Sequence, residues 1–303
     1  MSLGVLNTLS AMYAANNLSN SNNQLSKTLQ QLSSGSKINS GADDAAGLSL
    51  VNGLQANATA LAQSQTNAQE GVGLLQVADG ALSQVTNLLN RAVTLATEVS
   101  NGTLNGSQQT AADQEYQSIL AEINNIGSTT TYNQKQVFGN DVTIYTGDSS
   151  STGASMDSLN ISALASATVG DTGGAVTYNA ATGTTPATIS YAKTGTTTSV
   201  DLSTSKLDNA TDAQSALTSL NSAISAVAAQ DGYIGSQINT LNAVSQVMST
   251  QQQNIVAAQN AVQATDYASA TSNMSKFQIL SQTGIAALAQ ANSNQQNVLK
   301  LLQ

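Results

Sequence analysis

Three residue types are missing altogether. With no cysteine there is no disulfide framework, thiolate metal site or thiol nucleophile, and with no histidine the commonest metal ligand and the usual general base are gone. With no tryptophan and only 3% aromatic residues, a core anchored on large rings is not expected. A single proline, Pro186, leaves room for very long uninterrupted helices. Charged residues make up only 8% of the 303, far below the roughly 25% of an ordinary soluble domain. Arg91 is the only arginine and the net charge is −9, so nucleic-acid binding, which needs clustered Lys and Arg, is disfavoured. No apolar run is long enough to span a bilayer. No Lys or Arg precedes Lys27, so a cleavable signal peptide is not expected; export, if it occurs, would use a route that does not cleave one.

What remains is mostly helix-forming. Leu54, Leu61, Ala68, Leu75, Leu82, Leu89 and Ala96 fall on one seven-residue ladder. A companion ladder is expected at Val51, Ala58, Gln65, Val72, Asp79, Thr86 and Val93. A helix over 51–99 would be roughly 70 Å long at about 1.5 Å per residue. Asn101-Gly102 and Asn105-Gly106 mark a turn, and a shorter helix is expected over 109–126. A second ladder carries Leu220, Val227, Ile234, Leu241, Met248, Ile255 and Val262, with companions at Leu217, Ile224, Asp231, Ile238, Ser245, Gln252 and Gln259. The simplest way to bury both ladders is antiparallel pairing; separate bundles are the alternative. Between them, over 132–205, the runs Val142–Tyr145, Leu159–Ile161, Ala175–Tyr178 and Thr188–Tyr191 read as strands separated by Gly-rich turns.

The ends are amphipathic and nearly uncharged. Leu18, Leu25, Leu29 and Leu32 recur at helical steps near the start, and Met274, Phe277, Leu280, Leu288, Val298 and Leu302 near the finish. Such helices have no evident partner within the chain and are expected to order when neighbouring molecules cover them. Two sticky, weakly charged ends suit a protein that polymerises.

The same ends carry a family resemblance. The blocks Leu32-Ser33-Ser34-Gly35, Ile38-Asn39-Ser40 and Asp43-Asp44-Ala45-Ala46-Gly47 resemble the N-terminal pattern of bacterial flagellin. At the other end Asp266-Tyr267-Ala268, Ser272-Asn273-Met274-Ser275-Lys276, Gln278-Ile279-Leu280 and Leu288-Ala289-Gln290-Ala291-Asn292 resemble its C-terminal pattern, as does Gln296-Asn297-Val298-Leu299 with Leu301-Leu302. The resemblance covers about 1–165 and 206–303 and leaves the middle unmatched. It implies a mostly α fold: a long antiparallel heptad-helix rod, a small β-rich insertion at one end, and terminal helices that pair in the filament. It divides the chain into an inner-tube helix and spoke (1–40), the first part of the rod domain with β hairpins (41–165), a variable insertion (166–205), the returning rod helix (206–264) and a second inner-tube helix (265–303).

The function implied is that of a non-enzymatic structural subunit. It would self-assemble into the flagellar filament after type III export, with no cofactor and with an export chaperone, the filament cap and hook-associated proteins as partners. A hook–filament junction protein is the alternative, and an enzymatic insert would need a metal or nucleophile site that the middle lacks. Flagellins seen by the animal toll-like flagellin receptor carry Q-R-x-R-E-L-A where this chain has Asn90-Arg91-Ala92-Val93-Thr94-Leu95-Ala96. Arg91 is kept, the second Arg and the Glu become Val93 and Thr94, and Glu115 falls at an acid of the receptor patch. The plainer reading, which outweighs it, is that Arg91 pairs with a carboxylate on a helix face. Asp43 and Asp44 read as a helix start, not a catalytic pair.

Overall fold

The computed structural model describes residues 9–147, 156–165, 175–179, 188–192 and 200–301. Among these the elements run α1 (Leu9–Ser34), α2 (Ala45–Ser100), α3 (Gly106–Thr129), β1 (Thr131–Tyr132), β2 (Lys135–Gln136), β3 (Asn140–Tyr145), β4 (Met156–Ile161), β5 (Ala175–Asn179), β6 (Thr188–Ala192), α4 (Ala210–Gln263) and α5 (Tyr267–Leu301). They fall into two compact units, one of Met1–Gln55 with Asn254–Gln303 and the other of Ala56–Gln253.

The helix starts are written in side chains that accept otherwise orphaned backbone N–H groups. Asp44 Oδ1 accepts from Gly47 N at 2.8 Å to open α2. Asn105 and Gln108 form a reciprocal capping box on α3, each side chain accepting from the other's backbone N–H at 2.9 Å. Asn209 Oδ1 takes Asp212 N at 2.9 Å for α4, and Asp266 Oδ1 takes Ala268 N at 3.0 Å for α5. Gly35, at φ +70°, closes α1 in the left-handed conformation that glycine adopts without a Cβ clash, its N–H donating to Gln31 O at 3.0 Å.

In the unit of Ala56–Gln253, α2 and α4 run antiparallel. Gly71 lies against Leu241 and the Asp79 carboxyl meets that of Asp231, so positions rising along one helix meet positions falling along the other. Burial, and then the Asp79 carboxyl, push Asp231 above the ordinary carboxylate value. The buried stripe of α2 contains Leu61, Ala68, Leu75, Leu82, Leu89 and Ala96, and that of α4 contains Leu220, Val227, Ile234, Leu241 and Met248.

The expected companion ladder is buried only at its start, at Val51 and Ala58. Asp79 and Asp231 are exposed, and Gln65, Val72, Thr86 and Val93 are only half-buried. On α2 the covered positions lie three residues after the ladder residues from Leu61 onward, at Ser64, Gly71, Ala78, Val85, Ala92 and Val99, and on α4 three after Leu220, Val227 and Ile234, at Ala223, Gln230 and Gln237. A hydrophobicity pattern overlooks Ser, Gly, Ala and Gln, yet small residues are what let helices approach closely.

Helix α3 adds Tyr116, Ile119, Leu120 and Ile123 to this core. Tyr116 donates to Ser205 Oγ at 2.8 Å, and Asp113 Oδ1 accepts from Leu207 N at 2.8 Å, fixing the segment that buries Leu202 and Leu207. Strands β1 and β2 form a hairpin whose loop, Asn133-Gln134, has φ of 49° and 64°, the positive values a two-residue hairpin turn requires. Strands β3 and β4 pair antiparallel, with Ile144 opposite Asp157 and Val142 opposite Leu159. Ile144, Leu159 and Ile161 face inward, and Ser64 Oγ donates to Gly147 O at 2.6 Å. Strands β5 and β6 form a third antiparallel pair, so all four expected strand runs are strands.

Two helical glycines in this unit make opposite predictions. A Cβ on Gly127 would lie 1.8 Å from the Leu164 carbonyl oxygen, which is backbone and cannot swing aside. A Cβ on Gly80 of α2 would meet nothing within 4 Å beyond its own helix. Gly127→Ala is expected to destabilise the unit by about 1–3 kcal/mol through overpacking. Gly80→Ala should stabilise it by about 0.5–1 kcal/mol by restricting the unfolded chain. Thermal melts followed by helical circular dichroism check both, and equal effects would remove the close approach from the account.

Candidate assembly and partner surfaces

Helices α1 and α5 lie antiparallel in the unit of Met1–Gln55 with Asn254–Gln303. Gly284 faces Leu18, Ser281 Oγ donates to Asn22 Oδ1 at 2.8 Å, and Thr265 N donates to Gly35 O at 3.1 Å. Next to these, Lys37 N donates to Gln263 O at 2.8 Å. Each helix covers the other along a heptad stripe: Ala11, Ala14, Leu18, Ser21, Leu25, Thr28 and Leu32 on α1, and Ala270, Met274, Phe277, Ser281, Gly284, Leu288 and Ala291 on α5. The expectation that the ends lack a partner within the chain is therefore corrected. Larger residues are interspersed with Ala, Ser, Thr and Gly, which let the two helices come close.

Coverage is incomplete. Of the two stripes only Thr28 and Ala270 are buried, and the rest are half-buried. Two of the expected assembly residues point away from the pair, Leu29 at 44% exposure and Leu280 at 41%. Leu9, Met12, Tyr13, Ile279 and Ile285 are exposed as well and were missed in the sequence, because they sit off the ladder that pattern reading selects. Leu302 and the side chain of Val298 lie outside the described residues. At the chain-proximal ends of the long helices, Leu54 and Ile255 are half-buried, and Gln259 Nε2 donates to Gln55 Oε1 at 2.9 Å.

Asp43 ties this unit's connecting segment to α1. Its carboxylate lies 2.7 Å from Lys27 Nζ and accepts from Asn39 N, Ser40 N and Ser40 Oγ at 3.1 to 3.2 Å. The Lys27 contact first, and then the backbone N–H of Asn39, hold its pKa down at about 2.

The two residues of the receptor resemblance meet each other. Arg91 Nε of α2 donates to Glu115 Oε1 of α3 at 2.7 Å, with both side chains about half exposed. The Arg91 hydrogen bond lowers Glu115 below the ordinary carboxylate range, and the Glu115 hydrogen bond raises Arg91. No helix among the described residues is long and apolar enough to cross a membrane, and no group of three or more potential metal ligands occurs among them.

Residues 5–143 match the bacterial flagellin N-terminal helical region and residues 217–302 match the bacterial flagellin C-terminal helical region, taking in α2, most of α4 and α5. The chain belongs to the bacterial flagellin family. Among relatives it is 36% identical over 137 residues to Flagellin A of Vibrio anguillarum, covering 45% of this chain and 36% of that protein. It is 37% identical over 132 residues to Flagellin B of Vibrio cholerae, covering 44% of this chain and 35% of that protein. The matched stretch is thus little more than a third of these relatives' length. Among solved structures it is similar to Bacillus cereus flagellin, at 26% identity over 64% of this chain and 94% of that chain, with a TM-score of 0.44.

The Asp43 contacts give a pH dependence of definite sign. A carboxyl whose folded pKa lies below its ordinary 3.8 stabilises the fold above that value and ceases to do so as pH falls through about 2. Asp43→Asn is expected to lower thermal stability at neutral pH, the difference from wild type closing across that acid window. Melts at a series of pH values test this; a difference that persists unchanged in acid would assign the effect to packing.

Proposed function

We propose that this chain is a structural subunit that self-assembles into the extracellular flagellar filament, acting mechanically and not as a catalyst. One observation carries the reading. Helices α1 and α5 shield one stripe of each other and leave Leu9, Met12, Tyr13, Leu29, Ile279, Leu280 and Ile285 exposed on surfaces with almost no charge. Apolar residues gain about 1.5–3 kcal/mol each on full burial, so covering these with identical neighbours supplies a drive to polymerise. Repeated contacts of one surface with a different surface of the next copy, without ring closure, build an open helical assembly. Membership of the flagellin family supports the same reading, and so do the terminal positions of both matched regions.

In this reading 1–40 and 265–303 form the inner tube of the filament, 41–165 and 206–264 the domain around it, and 166–205 a variable outer insertion. Export without signal cleavage, an export chaperone, the filament cap and hook-associated proteins complete the set of partners. Deletion of 1–32 or of 267–303 is expected to abolish filaments in seeded polymerisation while the unit of Ala56–Gln253 keeps a cooperative melt. Negative-stain images read the first and circular dichroism the second. Short oligomers or rings from the intact chain would point instead to the hook–filament junction role.

A contact with the animal toll-like flagellin receptor would use Arg91 and Glu115, which share one exposed surface. Their ion pair also serves the fold by joining α2 to α3, and Val93 and Thr94 offer no charge to a receptor. Receptor activation by monomer is therefore expected to be weaker than for flagellins with the full motif, and Arg91→Ala should weaken it further. A reporter-cell dose response decides: full potency untouched by Arg91→Ala removes the site.

A further inference from the structure

Asn-Gly occurs three times in the chain, at Asn52-Gly53, Asn101-Gly102 and Asn105-Gly106. This dipeptide carries its own chemistry. The backbone nitrogen of the glycine attacks the asparagine side-chain amide carbon, a C–N bond forms, and ammonia leaves with the proton the nitrogen gives up. The product is a cyclic imide, and one water then opens it at either carbonyl, giving aspartate or the isomer linked through its side-chain carbon. Glycine favours the ring because no Cβ obstructs it and the backbone reaches angles closed to other residues.

The fold treats the three pairs differently. Asn52 and Gly53 lie inside α2, where the glycine nitrogen is committed to the helical hydrogen-bond ladder and ring closure would need non-helical backbone. Asn105 is the N-cap of α3, its Oδ1 held by Gln108 N at 2.9 Å and its own N–H held by Gln108 Oε1 at 2.9 Å. Turning its side chain onto Gly106 N would dismantle that capping box. Asn101 lies outside any helix and its side chain caps none. It sits in the turn after α2, exposed like Gly102, and its side chain makes no hydrogen bond among the described residues.

Gly102 is at φ +68° with nothing within 4 Å of where a Cβ would stand, so space for the imide is present. Its N–H donates only to Val99 O at 3.2 Å, at the long end of the range for such bonds. We infer that Asn101 is a site of spontaneous imide-mediated modification, to aspartate and its isomer, and that the fold restrains the other two Asn-Gly pairs. Either product changes the α2–α3 turn. Aspartate places a negative charge at the C-terminal end of α2, where the helix dipole already opposes it and Glu98 stands one turn back. The isomer lengthens the backbone inside the turn that the Gly102 to Val99 bond closes.

Peptide mapping of the intact purified protein, incubated in mildly alkaline buffer, tests the inference. The Asn101 peptide is expected to gain the mass of an NH-to-O exchange severalfold faster than those of Asn52 and Asn105, with the isomer resolved chromatographically. In denaturant the three rates should converge, and Asn101→Gln should remove the fast conversion without changing the melt. Equal rates in the folded protein, conversion led by Asn105 or Asn52, or an inert Asn101 that reacts only in denaturant would each overturn it.

Discussion

On the long helices, each large residue of the buried ladder is followed three positions later by a smaller or flatter one, and much of the fold depends on that alternation. Leu61 is followed by Ser64, Leu75 by Ala78, and Leu89 by Ala92, while on α4 Leu220 is followed by Ala223. Gly71 shows what the narrow positions permit. It is the point where Ile144 of β3 and Leu241 of α4 both come against α2, and an added Cβ would lie 2.0 Å from Ile144 Cδ1. The hairpin and the returning helix thus use the same missing side chain. Interiors pack at crystal-like density, so one methyl group there is felt by two elements at once.

The price of narrow packing with few aromatics is polarity inside. Gln230 and Gln237 are buried three positions after Val227 and Ile234. Gln237 Nε2 donates to the Tyr233 hydroxyl at 3.0 Å, and the hydroxyl in turn accepts from Asn160 N at 3.3 Å, so β4 is tied to α4 by hydrogen bonds as well as by Leu159 and Ile161. Asp157 on the inward face of β4 is buried with Oδ1 lacking a hydrogen-bond partner, and burial raises its pKa. Polar contacts are directional where apolar ones are not. They therefore fix the register of a strand on a helix more tightly than contact area alone.

Much of this could be read in the sequence, for identifiable reasons. Leucine every seventh residue gives the long helices, and the β-branched and aromatic alternation at Val142–Tyr145 and Leu159–Ile161 gives β3 and β4. Both patterns are local and strongly apolar. Most of the second track escapes a hydrophobic pattern because Ser64, Gly71, Gln230 and Gln237 carry no hydrophobic signal, although each lies three residues after a ladder position. The pairing of α1 with α5 escaped for a related reason: half its stripe is Ala, Ser, Thr and Gly, and its members are more than two hundred residues apart. The Arg91 to Glu115 bond joins separate helices, so one arginine in the sequence signals that it needs a partner but not which acid supplies it.

That same pairing of α1 with α5 explains how the ends can be ordered against each other and still be unfinished. A stripe alternating Leu18 with Ser21 and Leu25 with Thr28 lets the two backbones come close, but it removes little apolar area from water because the small residues have little to remove. Ordering each residue costs about 1–2 kcal/mol of backbone entropy, so a half-covered pair of long helices gains little over that cost. The charge that would make the outer faces content in water is absent, with Lys276 the one basic residue among the described side chains of α5. Leu29 and Leu280, turned outward, lower the free energy further only when another surface reaches them. A second copy of the chain is a natural supplier of such a surface, because it carries the same small-residue stripe and the same exposed leucines. Low charge, incomplete pairing and outward leucines are thus parts of one arrangement, which self-assembly, under the proposed function, would complete.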